Sequence, residues 1–313
     1  MGEELEPVEL SLFFTVLNAL GEDLGWRWTE EGLEVPDEMG AGDLTSSAVV
    51  PESLRAEARV EARQGGTLAG MAPALLTFEL LCGDDLKVIQ QLSDGARVEA
   101  GTTVLQVKAG ARGLLVAERT ALNFLQHLSG VATLTSRFVE QLAGSGVRVL
   151  DTRKTTPGLR FLEKAAVAAG GGVNHRMGLY DAIMLKDNHV RLAGELGQVV
   201  SRAIANARQR QEADGKDLVV IVEVRGREEA LEAVEAGARW IMLDNMGPKE
   251  VAECVQAVRA ADRGREVTIE ASGRITLDTV RDFAIPGLDF VSVGSLTHSA
   301  PALDLSMSIE PLP

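Results

Sequence analysis

Residues 147–190, VRVLDTRKTTPGLRFLEKAAVAAGGGVNHRMGLYDAIMLKDNHV, hold the step from which the fold is read. An apolar run of strand length, 147–150, passes directly into Asp151, Arg153 and Lys154. A helix-like segment comes next, then a triple glycine, then His175 and Arg176, and a second apolar run (182–185) ends on Lys186. A strand that delivers polar residues at its C-terminal end, then a helix, then another such strand, is one turn of a β/α alternation. The stretch 151–190 holds six Lys/Arg against four Asp/Glu, a net +2 in a chain whose net charge is −15. Like charges repel unless a ligand compensates them, so this cationic island suggests a site for an anion. The competing reading is a solvated basic face.

Outward from this stretch the same unit recurs. Apolar runs end in polar residues at VVIVEV around Glu223, at WIML before Asp244 and Asn245, at VTIEA before Ser272, Gly273 and Arg274, and at FVSV before Gly294 and Ser295. Helical patterns over 158–169, 194–212, 226–236, 248–261 and 276–284 separate most of the strands. Six strands in this alternation predict a parallel sheet covered by helices. Chemistry at every C-terminal strand end points to a (β/α) barrel, incomplete or open on one side because only six strands are evident. A doubly wound open sheet is the competing fold, but no GxGxxG or Walker sequence announces it. At the rim, the early strands carry the cations Arg153, Lys154 and Lys186, the middle strands the carboxylates Glu223 and Asp244, and the late strands Ser272, Gly273, Gly294 and Ser295. Small residues ahead of a helix N-terminus suit a phosphate, and the ordered pattern fits a phosphorylated sugar with a further anionic group.

The first third reads differently. Residues 9–24 have helical apolar spacing, and 25–41, acidic and turn-rich with Trp26 and Trp28, read as a loop. From Arg55 to Lys108, alternating segments surround a helical stretch at 74–82, which predicts an α+β domain; a long helix over 113–143, bent near Gly130, leads into the second half. At 313 residues, 45% hydrophobic and 25% charged, the chain can bury two ordinary cores. Cys82 and Cys254 are far apart in apolar surroundings and read as reduced core residues. With no signal-peptide layout, no run of membrane-spanning length and a pI near 4.8, the expectation is a soluble cytoplasmic protein that binds neither membrane nor nucleic acid.

The motifs GDLTS (42–46), ERTALNFLQHLSG (118–130), DTRKTTPGLRFLEKAAVAAGG (151–171), NHRMGLYDAIMLKDNH (174–189), VEV (222–224), MLDN (242–245), ASGRI (271–275) and SVGSLTHS (292–299) carry a resemblance. At these spacings the chain resembles the quinolinate phosphoribosyltransferase (carboxylating nicotinate-nucleotide pyrophosphorylase) family. The resemblance implies an N-terminal α/β sandwich domain over 1–117, rejoined by 300–313, and an incomplete, open parallel α/β barrel over 118–299. It implies transfer of phosphoribosyl from phosphoribosyl pyrophosphate to quinolinate with loss of carbon dioxide, giving nicotinate mononucleotide for NAD biosynthesis.

By the same resemblance, Arg119, Arg153, His175, Arg176 and Lys186 would hold quinolinate, while Lys154 and Lys186 would face pyrophosphate and the carboxylates. Glu223 and Asp244 would bind ribose hydroxyls, directly or through Mg²⁺, and Ser272, Gly273 and Gly294 the 5′-phosphate. Lys154, Lys186, Glu223 and Asp244 form the catalytic set, acting by positioning and charge stabilisation. Arg119 would reach the neighbouring subunit's site, making the active unit at least a homodimer. His127, on a helix of apolar neighbours, reads as structural, and Asn188 and His189 as orienting Lys186 or closing the strand end. The chain departs from the family pattern in the acidic, tryptophan-containing segment 26–41 ahead of GDLTS. Three other activities compete: a molybdenum-associated relative on the same scaffold, a Schiff-base aldolase using Lys154 or Lys186, and a non-catalytic binder. The full Arg/Lys/His set disfavours the first, an anion-filled pocket the second and the two carboxylates the third.

Overall fold

The computed structural model describes residues 7–29, 32–34, 43–215, 217–262 and 266–313. The chain divides into two compact units. One takes its residues from Met1–Thr133, Pro157–Gly170 and Ala300–Pro313, the other from Leu134–Thr156 and Gly171–Ser299.

In the first unit, α1 (Pro7–Leu24) buries Val16, Leu17, Leu20 and Leu24, the i, i+4 face its spacing predicts. The stretch expected to be loop contains a short antiparallel hairpin instead, β1 (Arg27–Thr29) and β2 (Gly32–Glu34). The Trp and Thr of its first arm favour extended backbone over a turn; residues 30–31 and 35–41 lie outside the described residues. The GDLTS motif starts a helix, α2 (Leu44–Val49): Asp43 Oδ1 accepts from the amides of Thr45 and Ser46, both at 3.0 Å. Then come β3 (Arg55–Ala62), β4 (Gly66–Thr67), α3 (Met71–Cys82), β5 (Lys87–Gln91), β6 (Arg97–Val98), β7 (Thr103–Gly110) and α4 (Ala111–Gln141). Strand alternation turns Ala56, Ala58, Val60 and Ala62 of β3 inward, onto Phe78 of α3 and Leu114, Ala117 and Ala121 of α4. Through Gly130 α4 remains helical, and a close approach explains that glycine: a Cβ there would lie 2.2 Å from Pro301 O. His127 Nε2 pairs at 2.8 Å with Glu163 Oε1, whose carboxylate is fully buried.

The second unit is built on β8 (Arg148–Leu150), β9 (Ala182–Leu185), β10 (Val219–Val224), β11 (Trp240–Asp244), β12 (Thr268–Ser272) and β13 (Phe290–Ser292), all parallel. Between β8 and β9 the chain supplies α5 (Arg160–Ala169) to the first unit; α6 (Asp187–Ala193) and α7 (Leu196–Asp214) follow β9. Next are α8 (Arg227–Glu235), α9 (Pro248–Ala261) and, after β13, α10 (Ser295–His298). The sheet order is β8-β13-β12-β11-β10-β9, so the sixth strand pairs with the first, while the first and second do not pair. This is an open α/β barrel, its gap between its first two strands. Alternate residues such as Ala182, Ile221 and Met242 fill its interior. The other face packs beneath helices that bury Val199 and Val200, Ala230 and Val234, and Val251, Val255 and Val258.

The helix expected over 276–284 is only a 3₁₀ turn, Val280–Phe283. Pro286 disfavours helical backbone at Ile285, and the chain must reverse within a few residues to enter β13. The last strand, β14 (Leu305–Pro311), adds antiparallel to β3 and completes a four-stranded sheet of order β14-β3-β7-β5. Both cysteines are free, and burial, then the charge of Asp85, pushes the Cys82 thiol up to about 11. Among the described residues no helix is long and apolar enough to cross a membrane.

A candidate anion-binding active site

The C-terminal strand ends of the open barrel line a cavity of about 290 Å³. Arg153 and Lys154 enter from the end of β8, Lys186 from β9, Glu223 from β10, Asp244 from β11 and Ser272 from β12. His175 and Arg176 join them on the chain beyond Val173, whose bridge to Leu150 extends the strand layer past β8. Gly273 and Gly294 occupy the turns after β12 and β13. Thr152, Met184 and Met242 also line the cavity and were not singled out from sequence. A threonine inside DTRKT and methionines inside apolar strands carry no signal of their own. Arg119 is on α4, in the first unit, and does not line this cavity.

The cationic half is assembled against its own repulsion. Burial, and secondly the charge of Arg153, lowers the pKa of the Arg176 guanidinium, with Asp181 acting in the opposite sense. Arg176 is nonetheless held in place: Nη1 donates to Ala182 O at 3.1 Å, and Nη2 lies 3.6 Å from Met184 Sδ. Asp181 is itself fixed by the amides of Met177 and Gly178, at 2.6 and 2.9 Å. Arg153 Nε is buried and finds no hydrogen-bond partner among the described residues. A partly desolvated Arg176 and an Arg153 with a buried, unmet donor thus share one cavity, and guanidinium forks of this kind suit planar carboxylates.

The carboxylate half lies on neighbouring strands. Lys186 Nζ donates to Glu223 Oε2 at 2.9 Å, and Asn245 Nδ2 to Asp244 Oδ2 at 2.8 Å. The Lys186 amide donates to His189 Nδ1 at 2.9 Å, so His189 closes the turn into α6, and Asn188 accepts from Arg191. At the neutral turns the backbones crowd. Gly273 has φ +103°, and a Cβ there would lie 2.4 Å from Asn245 Oδ1 and 2.9 Å from Asn245 Cα. A Cβ at Gly294 would meet Lys154 Cδ at 3.0 Å, and the Lys154 carbonyl accepts from Thr297 Oγ1 at 2.8 Å. Among the described residues no group of three or more His, Cys, Asp and Glu side chains could hold a metal ion. Glu223 and Asp244 line the cavity from paired strands, and two carboxylates are the number suited to an Mg²⁺ whose other ligands are water and substrate phosphates.

Two family models cover most of the chain: the quinolinate phosphoribosyl transferase C-terminal domain over residues 131–308, and its N-terminal domain over 43–129. A probable nicotinate-nucleotide pyrophosphorylase [carboxylating] of Bacillus subtilis is 39% identical over 273 residues, 87% of this chain and 90% of that protein. The nicotinate-nucleotide pyrophosphorylase [carboxylating] of Mycobacterium leprae is 37% identical over 94% of this chain and 96% of its own length. Among solved structures, NadC from Streptococcus pyogenes superposes with TM-score 0.82 at 38% identity, covering the whole of both chains. The nicotinate-nucleotide pyrophosphorylase of Francisella tularensis superposes at 0.81 with 31% identity over 98% of each chain. With both domains matched in order, and relatives alike over nearly their whole length, the chain belongs to the quinolinate phosphoribosyltransferase family.

Proposed function

We propose that the protein transfers phosphoribosyl from phosphoribosyl pyrophosphate to the ring nitrogen of quinolinate and releases the 2-carboxyl group as carbon dioxide. The observation that carries this reading is the pair Arg153 and Arg176, two like charges partly desolvated in one cavity, one with an unmet donor. That pair calls for a ligand with two carboxylates on a flat ring. The unprotonated nitrogen attacks C1 of the sugar, and the bond to pyrophosphate breaks with its electron pair leaving on oxygen. The C2–carboxylate bond then breaks, its electron pair stays on C2 beside the cationic nitrogen, and a proton replaces the lost group. No general base is required.

The residues divide by charge. Arg153, Arg176 and His175 would orient quinolinate, while Lys154 and Lys186 would meet the leaving pyrophosphate and the carboxylates. Glu223 and Asp244 would hold the ribose hydroxyls and stabilise positive charge developing at C1. Ser272, Gly273 and Gly294 would present the 5′-phosphate with backbone amides. An Mg²⁺ held by Glu223 and Asp244 would offset the charge of the diphosphate group. Arg119 would come from a second copy of the chain, so that the active unit would be at least a homodimer. Incubation with quinolinate, phosphoribosyl pyrophosphate and Mg²⁺ should yield nicotinate mononucleotide and carbon dioxide in equal amounts. Turnover of nicotinate without carbon dioxide would overturn the assignment.

A further inference from the structure

A charged side chain that binds none of the proposed substrates lies inside the barrel. Glu270 is the middle residue of β12, faces inward and is fully buried. Its Oε2 accepts from Trp240 Nε1 at 2.9 Å and lies 3.3 Å from His175 Nε2, an ion-pair distance without hydrogen-bond alignment; its Oε1 has no hydrogen-bond partner among the described residues. A buried carboxylate costs stability unless its interactions repay it, so retaining one in an apolar strand calls for a role.

The contacts of His175 identify that role. Its backbone amide donates to the buried Asp151 Oδ1 at 2.8 Å, and its Nδ1 accepts the Arg176 amide, also at 2.8 Å. With Nδ1 occupied as an acceptor, the ring hydrogen belongs on Nε2, the nitrogen that faces Glu270. The indole of Trp240 is held between two neighbours. It stacks on Phe290 at 5.5 Å and 8°, and its centroid lies 5.8 Å from that of His175. The far face of this layer is closed by Arg148, 4.4 Å above the Phe290 ring. Glu270 is therefore held by an indole packed between Phe290 and His175, and the oxygen that takes the indole N–H is also the one facing the imidazole.

We infer that Glu270 is a positioning residue: from beneath the cavity its charge orients the His175 ring, whose Nε2-protonated tautomer the Arg176 amide sets, and through the His175 Nδ1 contact to that amide it sets where the Arg176 side chain begins. The inference rests on the reading of this cavity as the quinolinate site. Glu270 touches no substrate; it pre-organises the two residues that do.

Glu270→Gln is nearly isosteric and can keep a carbonyl oxygen where Oε2 lies, with its NH2 on the side where Oε1 has no partner, so the variant removes the negative charge facing the imidazole and little else. In the folded variant the KM for quinolinate should rise about tenfold or more, from loss of the buried charge that orients the imidazole, with the KM for phosphoribosyl pyrophosphate within about twofold. Trp240→Phe removes the second donor and leaves the Glu270–His175 contact, so it should shift the quinolinate KM far less than Glu270→Gln. Nitrogen-15 spectra of the imidazoles, with only four histidines to assign, should show His175 protonated at Nε2 in the unmodified protein, with the His175 Nε2 resonance shifted in Glu270→Gln. An Nδ1-protonated His175 in the unmodified protein would overturn the inference even if the variant failed to fold. So would a folded Glu270→Gln that keeps its quinolinate KM within about twofold, since the variant has lost the charge facing His175. The spectra report on the tautomer whether or not quinolinate is the substrate, so a failure of the proposed reaction is told apart from a failure of the Glu270 role.

Discussion

Replacing Gly273 with alanine separates the turn proposed to hold the 5′-phosphate from the residues proposed to hold quinolinate. The backbone there has φ +103°, outside the range an L side chain adopts readily, which costs about 1–3 kcal/mol. The added Cβ would also lie 2.4 Å from Asn245 Oδ1, 2.8 Å from Asn245 Cγ and 2.9 Å from Asn245 Cα. Rotating the Asn245 side chain relieves only the first two contacts. The third involves backbone, and Asn245 is itself at φ 57° with its amide donating to Ser272 O at 2.8 Å. Moving it also strains its hydrogen bond to Asp244, a further loss of about 1 kcal/mol. The combined local penalty is about 2–4 kcal/mol. It should appear as reduced stability in urea unfolding, together with a KM for phosphoribosyl pyrophosphate raised about tenfold or more. Quinolinate affinity should change little. Gly144→Ala is the control: φ is +81° but nothing lies within 4 Å of the new Cβ, so it should cost the conformational term alone, about 1–2 kcal/mol, and leave both KM values unchanged. If Gly273→Ala is no less stable than Gly144→Ala and binds the sugar donor normally, the close approach to Asn245 does not shape this site.

Arg153→Lys keeps the charge but loses the fork, so quinolinate binding should weaken by about 1–3 kcal/mol with phosphoribosyl pyrophosphate affected less; isothermal titration of both ligands checks this. Mixing inactive Arg119→Ala and Arg153→Ala subunits should restore about a quarter of full activity if Arg119 serves a partner's site in a randomly reassociated dimer, and none if it serves its own. The Glu57 carboxyl is held at about 2, first by Arg59 and then by Lys108, against an ordinary 4.5. Its stabilising effect is complete above pH about 4.5 and is lost as pH falls towards 2, so Glu57→Gln should flatten the acid limb of the stability curve across that window. The Cys82 thiol, pushed up to about 11, and the Cys254 thiol, also raised chiefly by burial, should label slowly with a thiol reagent at pH 8 until the protein is denatured.

The barrel was legible because parallel strands buried on both faces are written as continuous apolar runs. The runs at 182–185 and 219–224 are β9 and β10 to the residue, and the helix at 248–261 is α9. What escaped was decided by partners distant in sequence. The hairpin of β1 and β2 is too short for a period, and Gly130 read as a bend because the chain that crowds it lies about 170 residues away. Glu270 did leave a mark, a lone carboxylate inside VTIEA, but a search for polar residues at the ends of apolar runs passes over one that interrupts a run. Nothing in the sequence tells that His175 turns one nitrogen towards Glu270 and the other towards the next amide; that needs β12 and the chain after β8 side by side.

Closure of the sheet rearranges the charge pattern that the chain writes in order. Along the sequence the strand ends run cations, then carboxylates, then small residues. Around the sheet they run β8, β13, β12, β11, β10, β9, so the small-residue turns fall beside the first cations and the carboxylates beside the second. Two contacts fix that arrangement. Gly294 admits Lys154 at a distance a larger residue would contest, and Lys186 bonds Glu223 across the β9–β10 pair. Lysines thus flank the barrel's gap from both edge strands, one paired with an anion of the protein and the other set against a turn offering backbone amides. Under the proposed reaction the pyrophosphate and the 5′-phosphate both need positive charge, and the sugar between them needs carboxylates. A ligand with two anionic ends and a hydroxylated middle satisfies that circular order. One with its charge at a single end would leave either Lys154 or the Glu223–Asp244 edge facing the wrong group.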